Sequence, residues 1–362
     1  MKQIVIGLGF GDEGKGLTTE YLVSKAVNPL VIRFTGGGQA GHTVYHENFH
    51  HVFSNFGSGS YLRAPTYWSS VCPIEPIGIM NEYDILIEKG ITPILYIDRN
   101  CPIVTPFDKL YNQTVDQVNG TVGVGIGPTL KREESLYSLV FSDLLYHDVA
   151  VEKFNQISNY YNLPVEYKKI DEFWKACQFV LSNFSMVDGI QEASAGYTDL
   201  IFEGSQGLML DKNIGFFPHV TRSCVSTKYL SNGGDYYLVT RAYQTRHGNG
   251  PMMNPEYPLY NEFETNKSAG FQGKFRTAHL NLDMLMYAMD KDEKIRKAEN
   301  LTLVITCLDV IKEQWFLYFN GEKIKFNSEE KFVNFVASTL GIDNILVSHS
   351  PYSDQLKLVK NT

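Results

Sequence analysis

Residues 9–16 read Gly-Phe-Gly-Asp-Glu-Gly-Lys-Gly, between the apolar run Gln3–Leu8 and a helical pattern at Leu17–Ala26. A strand, a glycine-rich turn and a helix in this order form a phosphate-binding loop. The glycines let backbone N–H groups approach the phosphate oxygens, and the helix N-terminus adds a partial positive charge. The stretch therefore predicts nucleotide chemistry at the end of the first strand of an α/β fold.

The loop departs from the common nucleotide-binding pattern in two ways. Gly9, Gly14 and Lys15 fit the Walker-type spacing, but Gly16 stands where a Ser or Thr would hold magnesium. In addition, Asp12 places a carboxylate inside the loop itself. Because a carboxylate beside a triphosphate needs a metal ion or a proton as its partner, the loop fits an ordinary GTPase or kinase poorly.

Runs rich in Val and Ile alternate with helical patterns along the chain. The predicted strands are Gln3–Leu8, Leu30–Phe34, Thr92–Ile97, Leu200–Phe202, Tyr236–Val239 and Leu301–Thr306. The predicted helices are Leu17–Ala26, Met80–Lys89, Ser135–Tyr146, Val149–Tyr161, Phe173–Phe184 and Leu280–Met289. Strands that are apolar on both faces and alternate with helices are typical of covered parallel sheets. We therefore expect an α/β fold with a large, mostly parallel central sheet, a P-loop-like turn and helices on both faces.

The C-terminal region carries the clearest local signals. Gln314–Phe319 and Glu322–Phe326 flank Asn320-Gly321, which supplies the two positive φ angles of a type I′ hairpin turn. A helix is predicted at Glu329–Leu340, closed by Gly341, and a last strand at Asn344–Val347. The prediction is a C-terminal hairpin followed by one helix and one strand.

Composition narrows the class of protein. The net charge of −8 argues against binding to nucleic acid or to a membrane surface, and no apolar run approaches the roughly 18 residues of a membrane span. The five cysteines form no C-x-x-C pair, which favours reduced thiols in the cytoplasm. Without repeats or linkers, we expect a single domain over residues 1–362, with insertions that are partly helical at about 80–200.

Glycine-rich loops follow several other predicted strands. The segment Arg33–His42 holds four glycines and ends on His42, a side chain that exchanges protons near neutral pH. Similar loops occur at residues 120–128, 202–207 and 240–251, and a polar segment at residues 220–223 reads Val-Thr-Arg-Ser. One histidine or one loop alone is usually structural. Because ligands bind at the carboxyl ends of parallel strands, the set of loops predicts one binding site.

Six motifs in order carry a resemblance to the adenylosuccinate synthetase family. They are Gly-Asp-Glu-Gly-Lys-Gly at 11–16, Ala-Gly-His at 40–42, Gly-Ile-Gly-Pro at 125–128, Glu-Gly-Ser-Gln-Gly at 203–207, Thr-Arg-His-Gly-Asn-Gly-Pro at 245–251 and Thr-Cys-Leu-Asp at 306–309. The resemblance runs from Gly7 to about Pro351, so it covers nearly the whole chain. In its length the chain is similar to compact archaeal and viral members.

The resemblance implies a ligase that joins L-aspartate to IMP in two steps. GTP first phosphorylates the purine 6-oxygen, and the amine of aspartate then displaces phosphate to give adenylosuccinate. Asp12 matches the base that takes the N1 proton and also binds Mg²⁺, Lys15 matches the phosphate-binding lysine, and His42 matches the general acid. Gly41 is implied to offer a carbonyl to Mg²⁺, and Gln206 to orient the base and the 6-oxygen.

Further residues match the family's binding positions. Those implied to bind the donor nucleotide are Gly11, Glu13, Gly14, Gly16, Gly41, Thr43, Asp309, Ser348 and Pro351. Those implied to bind the purine monophosphate or aspartate are Gln39, Ala40, Thr121, Lys131, Arg132, Thr221, Arg246, Lys274 and Arg276. The implied partners are a purine monophosphate, L-aspartate, GTP and a second copy of the chain in a homodimer, with Mg²⁺ as cofactor.

Several positions depart from the family pattern. Cys307 stands where the family has a lysine beside guanine, so ATP remains an alternative donor. Val122 replaces a threonine at the substrate phosphate, and Lys274 replaces an arginine of the aspartate-binding loop. Leu136 falls near the place of an arginine that the partner subunit would supply. Lys131 and Arg132 are candidate substitutes for that arginine.

Three alternative functions stay open on the sequence. The same chemistry on guanylate or deoxyguanylate would give a 2-aminoadenine precursor, but many viral enzymes of that kind carry serine at the position of Asp12, so its presence favours IMP. A P-loop regulator would hydrolyse GTP or bind a partner without aspartate, which the presence of His42 and Gln206 disfavours. A catalytically silent relative is the third alternative, because of the departures above.

Overall fold

A ten-stranded sheet forms the centre of the computed structural model, which describes residues 1–47, 49–116, 121–266, 272–312 and 314–360. Its strand order is β16-β15-β12-β9-β1-β8-β2-β5-β6-β7, and every pairing is parallel except β15 with β16. The strands of the chain are β1 Lys2–Gly7, β2 Pro29–Arg33, β3 His42–His46, β4 Phe49–Phe53, β5 Thr66–Trp68, β6 Leu95–Asp98, β7 Ser185–Val187, β8 Asp199–Glu203, β9 Asp235–Arg241, β10 Tyr243–His247, β11 Phe275–Asn281, β12 Leu301–Thr306, β13 Phe316–Phe319, β14 Glu322–Lys325, β15 Asn344–Val347 and β16 Lys357–Lys360.

Helices cover both faces of this sheet. They are α1 Lys15–Lys25, α2 Pro76–Glu88, α3 Pro106–Thr114, α4 Ile126–Glu134, α5 His147–Tyr161, α6 Tyr167–Asn183, α7 Ile190–Ala193, α8 Leu282–Lys291, α9 Glu293–Arg296, α10 Leu308–Ile311 and α11 Glu329–Leu340. Ile4 and Ile6 of β1 share a buried cluster with Leu285 of α8, whereas Val5 lies in another cluster with Leu17 of α1. Because β1 is apolar on both faces, it is buried at the centre of the sheet, and the predicted fold class is confirmed.

The C-terminal predictions are confirmed. β13 and β14 pair as an antiparallel hairpin, and Asn320 and Gly321 have φ angles of 52° and 76°, as the turn requires. The hairpin extends a separate four-stranded sheet in the order β10-β11-β13-β14. Helix α11 begins after Ser328, whose side chain accepts a hydrogen bond from the N–H of Lys331, and ends at Gly341.

The predicted helix at Ser135–Tyr146 is wrong. The helix of this region is α4, which begins after Gly125 in a left-handed conformation, carries Pro128 in its first turn and ends at Ser135. Leu136 follows with a φ of 70°, which breaks the helix, and only a short 3₁₀ turn forms at Phe141–Leu145. The glycines before α4 hid its start, because they indicated a loop through Pro128.

Candidate active site

A cavity of about 1060 Å³ opens at the carboxyl ends of the central strands. The loops after β1, β2, β8 and β12 and the last residue of β9 all contribute to its wall. The predicted site residues that line it are Gly11, Asp12, Glu13, Gly14, Lys15, Gly16, Gln39, Ala40, Gly41, His42, Thr43, Thr121, Gln206, Thr221, Arg246, Asp309 and Pro351. Gly120, in the predicted loop at residues 120–128, lies outside the described residues.

A buried glutamate fixes the shape of the phosphate-binding loop. The carboxylate of Glu13 accepts hydrogen bonds of 2.9 Å from the N–H groups of Gly9 and Gly11. It also accepts one of 2.9 Å from the ammonium of Lys15, and both side chains are almost fully buried. The Glu13 side chain therefore stabilises the loop from within, and its carboxylate is fully engaged there.

The structure explains the missing Walker hydroxyl. A side chain at Gly16 would place its Cβ 3.0 Å from the Cβ of His42 and 3.1 Å from the hydroxyl of Ser58. Gly14, the residue before α1, has a φ of 98° and lies against Thr306. The close approach of His42 to α1 thus leaves little room for a side chain at position 16.

Asp12 points its carboxylate toward the cavity from a strained backbone position. Its φ is 62°, and its carbonyl accepts a hydrogen bond from Nε of Arg241. The carboxylate lies 3.4 Å from Nε2 of His247 and is 24% exposed. Burial raises the pKa of the Asp12 carboxyl. The nearby imidazole of His247 and the positive charges of Arg241 and Lys15 outweigh that effect, so the pKa lies below its usual value.

His42 is held by a buried carboxylate that the sequence analysis left without a role. Its Nδ1 lies 2.7 Å from Glu203 at the end of β8, and Glu203 also accepts hydrogen bonds from the hydroxyl and N–H of Ser58. Burial raises the pKa of Glu203, but His42, Arg33 and Ser58 outweigh that effect and hold it at about 2. Burial also lowers the pKa of His42, and the nearby cations Arg33 and Lys15 add to this.

Several buried polar atoms of the cavity-lining residues have no hydrogen-bond partner in the described ranges, and two of them belong to predicted catalytic residues. Nε2 of His42 and Oε1 of Gln206 are buried and make no hydrogen bond there. Both side chains line the cavity, and Gln206 has a φ of 53°. Buried polar atoms are rarely left unpaired, so both atoms mark places where a ligand atom fits.

Four basic side chains from the sequence analysis do not line the cavity. Arg132 is fully buried and donates to Asp108 at 2.9 Å, to Glu133 at 2.7 Å and to the carbonyls of Tyr137 and Ile103. Its predicted contact with substrate is therefore wrong, because its donors are used inside the fold. The others are Lys131, Lys274 and Arg276.

The segment predicted to bind aspartate reaches the cavity only in part. Lys274 is exposed and lies 3.5 Å from Glu256, and Arg276 donates to the carbonyl of Gly250 at 3.0 Å. Gln272, two residues before Lys274, does line the cavity. The first residue of the segment, Gln272, therefore lines the cavity, whereas its two cations, Lys274 and Arg276, do not.

The end of the cavity near β12 also needs one correction. Asp309 and Pro351 line it, and burial raises the pKa of the Asp309 carboxyl. Ser348 does not line it, because its hydroxyl donates to the carbonyl of Ser350 at 2.6 Å. Ser350 contributes to the wall in its place. The sequence Ser-His-Ser at residues 348–350 does not indicate which of the three side chains faces a ligand.

Arg246 lines the cavity with its guanidinium held in place. It donates to the carbonyls of Pro251 at 2.9 Å and His219 at 2.8 Å, and it lies 4.1 Å above the ring of Phe10. Burial, with the charge of Arg276, lowers its pKa to about 10. The cavity-lining side chains to which the sequence analysis gave no role include Lys212, His219, Arg222, Arg241 and His247.

The donor set of the cavity fits Mg²⁺ in one specific way. In the described residues, no group of three or more His, Cys, Asp and Glu side chains could hold a metal ion. Mg²⁺ typically takes one or two carboxylates and completes its shell with substrate phosphates and water. The Asp12 carboxylate and the Gly41 carbonyl, both in the cavity wall, are a set of that kind.

The sequence profile of the family described as adenylosuccinate synthetase matches residues 4–313. The chain belongs to the adenylosuccinate synthetase family. This assignment agrees with the phosphate-binding loop, the carboxylate inside it and the histidine that closes against α1. The described part of the chain contains no helix with the length and apolar character needed to cross a membrane.

Relatives and solved structures agree with the assignment. The chain is 29% identical to the adenylosuccinate synthetase of Thermosipho africanus, over 80% of this chain and 76% of that protein. It is 27% identical to that of Francisella tularensis, over 97% and 87%. Its fold matches the fully ligated enzyme of Plasmodium falciparum with a TM-score of 0.80 at 18% identity, over 99% of both chains.

A second solved structure shares the fold. It is the succinoaminodeoxyadenylate synthetase of cyanophage S-2L bound to dGMP and dATP, with a TM-score of 0.69 at 14% identity, over 99% of this chain and 95% of that one. The family membership makes the chain a GTP-dependent ligase that joins L-aspartate to IMP, and enzymes of this family use Mg²⁺.

Proposed function

We propose that Asp12 is the group on which this ligation depends in this chain. The observation that supports the proposal is its carboxylate, which is ionised near neutral pH and directed into the cavity from a glycine loop. Asp12 takes the N1 proton of IMP, and the 6-oxygen then forms a bond to the γ-phosphorus of GTP as the bond to the β-phosphate oxygen breaks. The loop geometry holds the carboxylate in place before the substrate binds.

His42 and Gln206 are proposed to hold the reacting oxygens. Glu203 fixes the Nδ1 side of the His42 imidazole, so Nε2 is directed to the cavity and can carry a proton toward a phosphoryl oxygen. Gln206 has a free amide oxygen for the purine ring. In the second step the amine of aspartate bonds to C6, and phosphate leaves with the 6-oxygen.

Asp12 and the carbonyl of Gly41 are the proposed protein ligands of Mg²⁺. When bound, the ion would neutralise the developing negative charge on the β- and γ-phosphates. Lys15 adds a positive charge at the same loop. To contact a phosphate, the Lys15 ammonium must either break its ion pair with Glu13 or contact both groups at once.

GTP is the proposed donor because of Asp309. A carboxylate accepts two hydrogen bonds, which matches the N1–H and the 2-amino group of guanine, whereas adenine offers no donor pair of this kind. Asp309 and Pro351 both lie in the cavity wall. Cys307 also lines the cavity and stands at the position where the family resemblance implies a lysine.

IMP is the proposed acceptor, with guanylate or deoxyguanylate as the alternative. The test incubates the purified chain with GTP, Mg²⁺ and L-aspartate and adds IMP, GMP or dGMP in separate reactions. Mass detection of adenylosuccinate from IMP supports the proposal. Product from GMP or dGMP alone would overturn the choice of acceptor. GTP hydrolysis that does not depend on aspartate would instead indicate a P-loop regulator.

We also propose that the chain forms a single domain and acts as a homodimer in the cytoplasm. Strands from Lys2 to Lys360 share one central sheet, which supports one domain with helical insertions. The dimer and the compartment are supported by family membership. Light scattering of the purified chain tests the dimer, because a monomeric mass in the active protein would contradict it.

A further inference from the structure

Five Lys and Arg side chains of the described residues line the cavity, and three of them are held by the protein. Lys15 is paired with Glu13 at 2.9 Å, and Arg241 with Glu264 at 2.6 Å. Arg246 is held by two backbone carbonyls. These three cations therefore have protein partners before any ligand binds.

The other two cavity cations, Lys212 and Arg222, are free to meet a ligand. The guanidinium of Arg222 lies 3.9 Å from the carboxylate of Glu134, and the two side chains are 46% and 61% exposed. An ion pair of this length and exposure contributes little stability. Lys212 is exposed and has no ion pair or hydrogen bond within the described ranges.

The backbone that carries these two cations is fixed. The carboxylate of Asp211 accepts hydrogen bonds of 2.7 Å from the N–H groups of Asn213 and Val225. The N–H of Thr221 donates to the carbonyl of Leu210 at 2.8 Å. A fixed backbone with two exposed cationic side chains can bind an anion with little reorganisation of the main chain.

Helix α4 contributes its first turn to the same cavity through Gly127. Glu134, the partner of Arg222, is the last residue of α4, so Arg222 lies beside the C-terminal end of that helix. The N-terminal end, which carries a partial positive charge and unpaired N–H groups, is a separate part of the cavity wall.

We propose that Lys212 and Arg222 bind the 5′-phosphate of the acceptor nucleotide within one chain. This inference rests on the proposed function, which places a nucleoside monophosphate in the cavity. A phosphate dianion suits the forked guanidinium of Arg222 together with the point charge of Lys212. Glu134 lies 3.9 Å from Arg222 in the free protein, and this weak pair gives way to the phosphate on binding.

The inference accounts for one departure from the family pattern and for the failure of one candidate substitute. Leu136, near the expected position of a partner-subunit arginine, is apolar and 92% exposed. Arg132, a candidate substitute for it, has its donors consumed by Asp108 and its neighbours. Positive charge for the phosphate therefore comes from this chain's own Lys212 and Arg222.

The first experiment compares IMP with inosine, which lacks the phosphate. Lys212→Ala and Arg222→Ala are each expected to lower kcat/KM for IMP about 10- to 100-fold, the usual effect of losing a hydrogen bond to a charged group. With inosine the variants and the unaltered chain should agree. Arg296→Ala is the matched control, because Arg296 is 55% exposed and lies 3.8 Å from Asp290, outside the cavity.

A variant of opposite sign sharpens the test. Glu134→Gln removes the carboxylate that competes with the phosphate for Arg222, so the KM for IMP should fall, by a small factor because the pair is exposed and weak. Arg222→Lys should recover part of the loss seen in Arg222→Ala. An equal loss with IMP and inosine would show a structural role and overturn the inference, as would unchanged kinetics in both alanine variants.

Calorimetric titration with IMP alone separates this inference from the proposed function. If the unaltered chain binds IMP, the alanine variants bind it weakly and no ligation is found, the phosphate site stands and the proposed function fails. If ligation is found but both variants bind IMP like the unaltered chain, only this inference fails. If the unaltered chain binds neither IMP nor dGMP, the inference is refuted.

Discussion

Glu203→Gln tests whether the buried carboxylate behind His42 stabilises the fold in the way its environment indicates. The pKa of Glu203 falls from the usual 4.5 to about 2, because His42, Arg33 and Ser58 outweigh the effect of burial. A shift of about 2.5 units, at about 1.4 kcal/mol per unit, corresponds to about 3 kcal/mol of stability. The carboxylate is fully buried, so solvent screening does not reduce this figure.

The sign of the effect follows from the depressed pKa. The contribution is fully present above pH 4.5 and is lost as the pH falls from 4.5 to about 2. We therefore expect Glu203→Gln to lower the free energy of unfolding at pH 7 by at most about 3 kcal/mol, because the pKa of His42 is lowered and its charge acts on Glu203 only at acidic pH. The difference between variant and unaltered chain should shrink toward pH 2.

Urea unfolding at several pH values between 2 and 7 measures this difference. Glu20→Gln is the control, since Glu20 is also buried and lies 2.8 Å from Nδ1 of His46. Burial raises the pKa of Glu20 instead of lowering it, so this variant should lose no stability at pH 7 through ionisation. A Glu203→Gln deficit that is the same at pH 7 and pH 3 would refute the reasoning.

Four further substitutions probe the site and its surroundings. Asp12→Ala should abolish ligation while the chain still folds and unfolds cooperatively; activity above a few per cent in a phosphate-release assay would remove Asp12 from its role. His42→Ala should lower kcat about 10²- to 10⁴-fold, and a rise in KM alone would make it a binding group. Gly14→Ala, at a φ of 98° and with its Cβ 2.9 Å from Thr306, should weaken GTP binding measured by calorimetry. Arg132→Met should leave the KM for IMP unchanged, in contrast to Arg222→Ala, and a large rise would restore Arg132 as a substrate ligand.

Local signals in the sequence predicted much of the fold. The order of strand, glycine turn and helix at residues 3–26 gave β1, the phosphate-binding loop and α1. Asn320-Gly321 gave the hairpin, and Gly341 gave the end of α11. These features depend on backbone conformations that few residues adopt, so the residue types alone indicate them.

The features that the sequence did not predict are side-chain contacts between residues far apart in the chain. His42 and Glu203 are 161 residues apart, and nothing between them indicates their hydrogen bond. Arg132 was predicted to be a substrate ligand, and the sequence did not indicate its ion pair with Asp108. The two residues are 24 positions apart, on opposite sides of the glycine loop. The sequence could name the glycine loops that form the cavity, but it could not show which cations the fold already uses.

The phosphate-binding loop has a consequence for the order in which this protein becomes competent. Its sequence lies at the beginning of the chain, yet Arg241 donates to the carbonyl of Asp12 and Thr306 donates to the carbonyl of Glu13 at 2.8 Å. During synthesis the loop therefore emerges early but stays incomplete until residue 306 has left the ribosome. Nascent chains shorter than this should not retain GTP, so nucleotide capture would report late folding of the sheet.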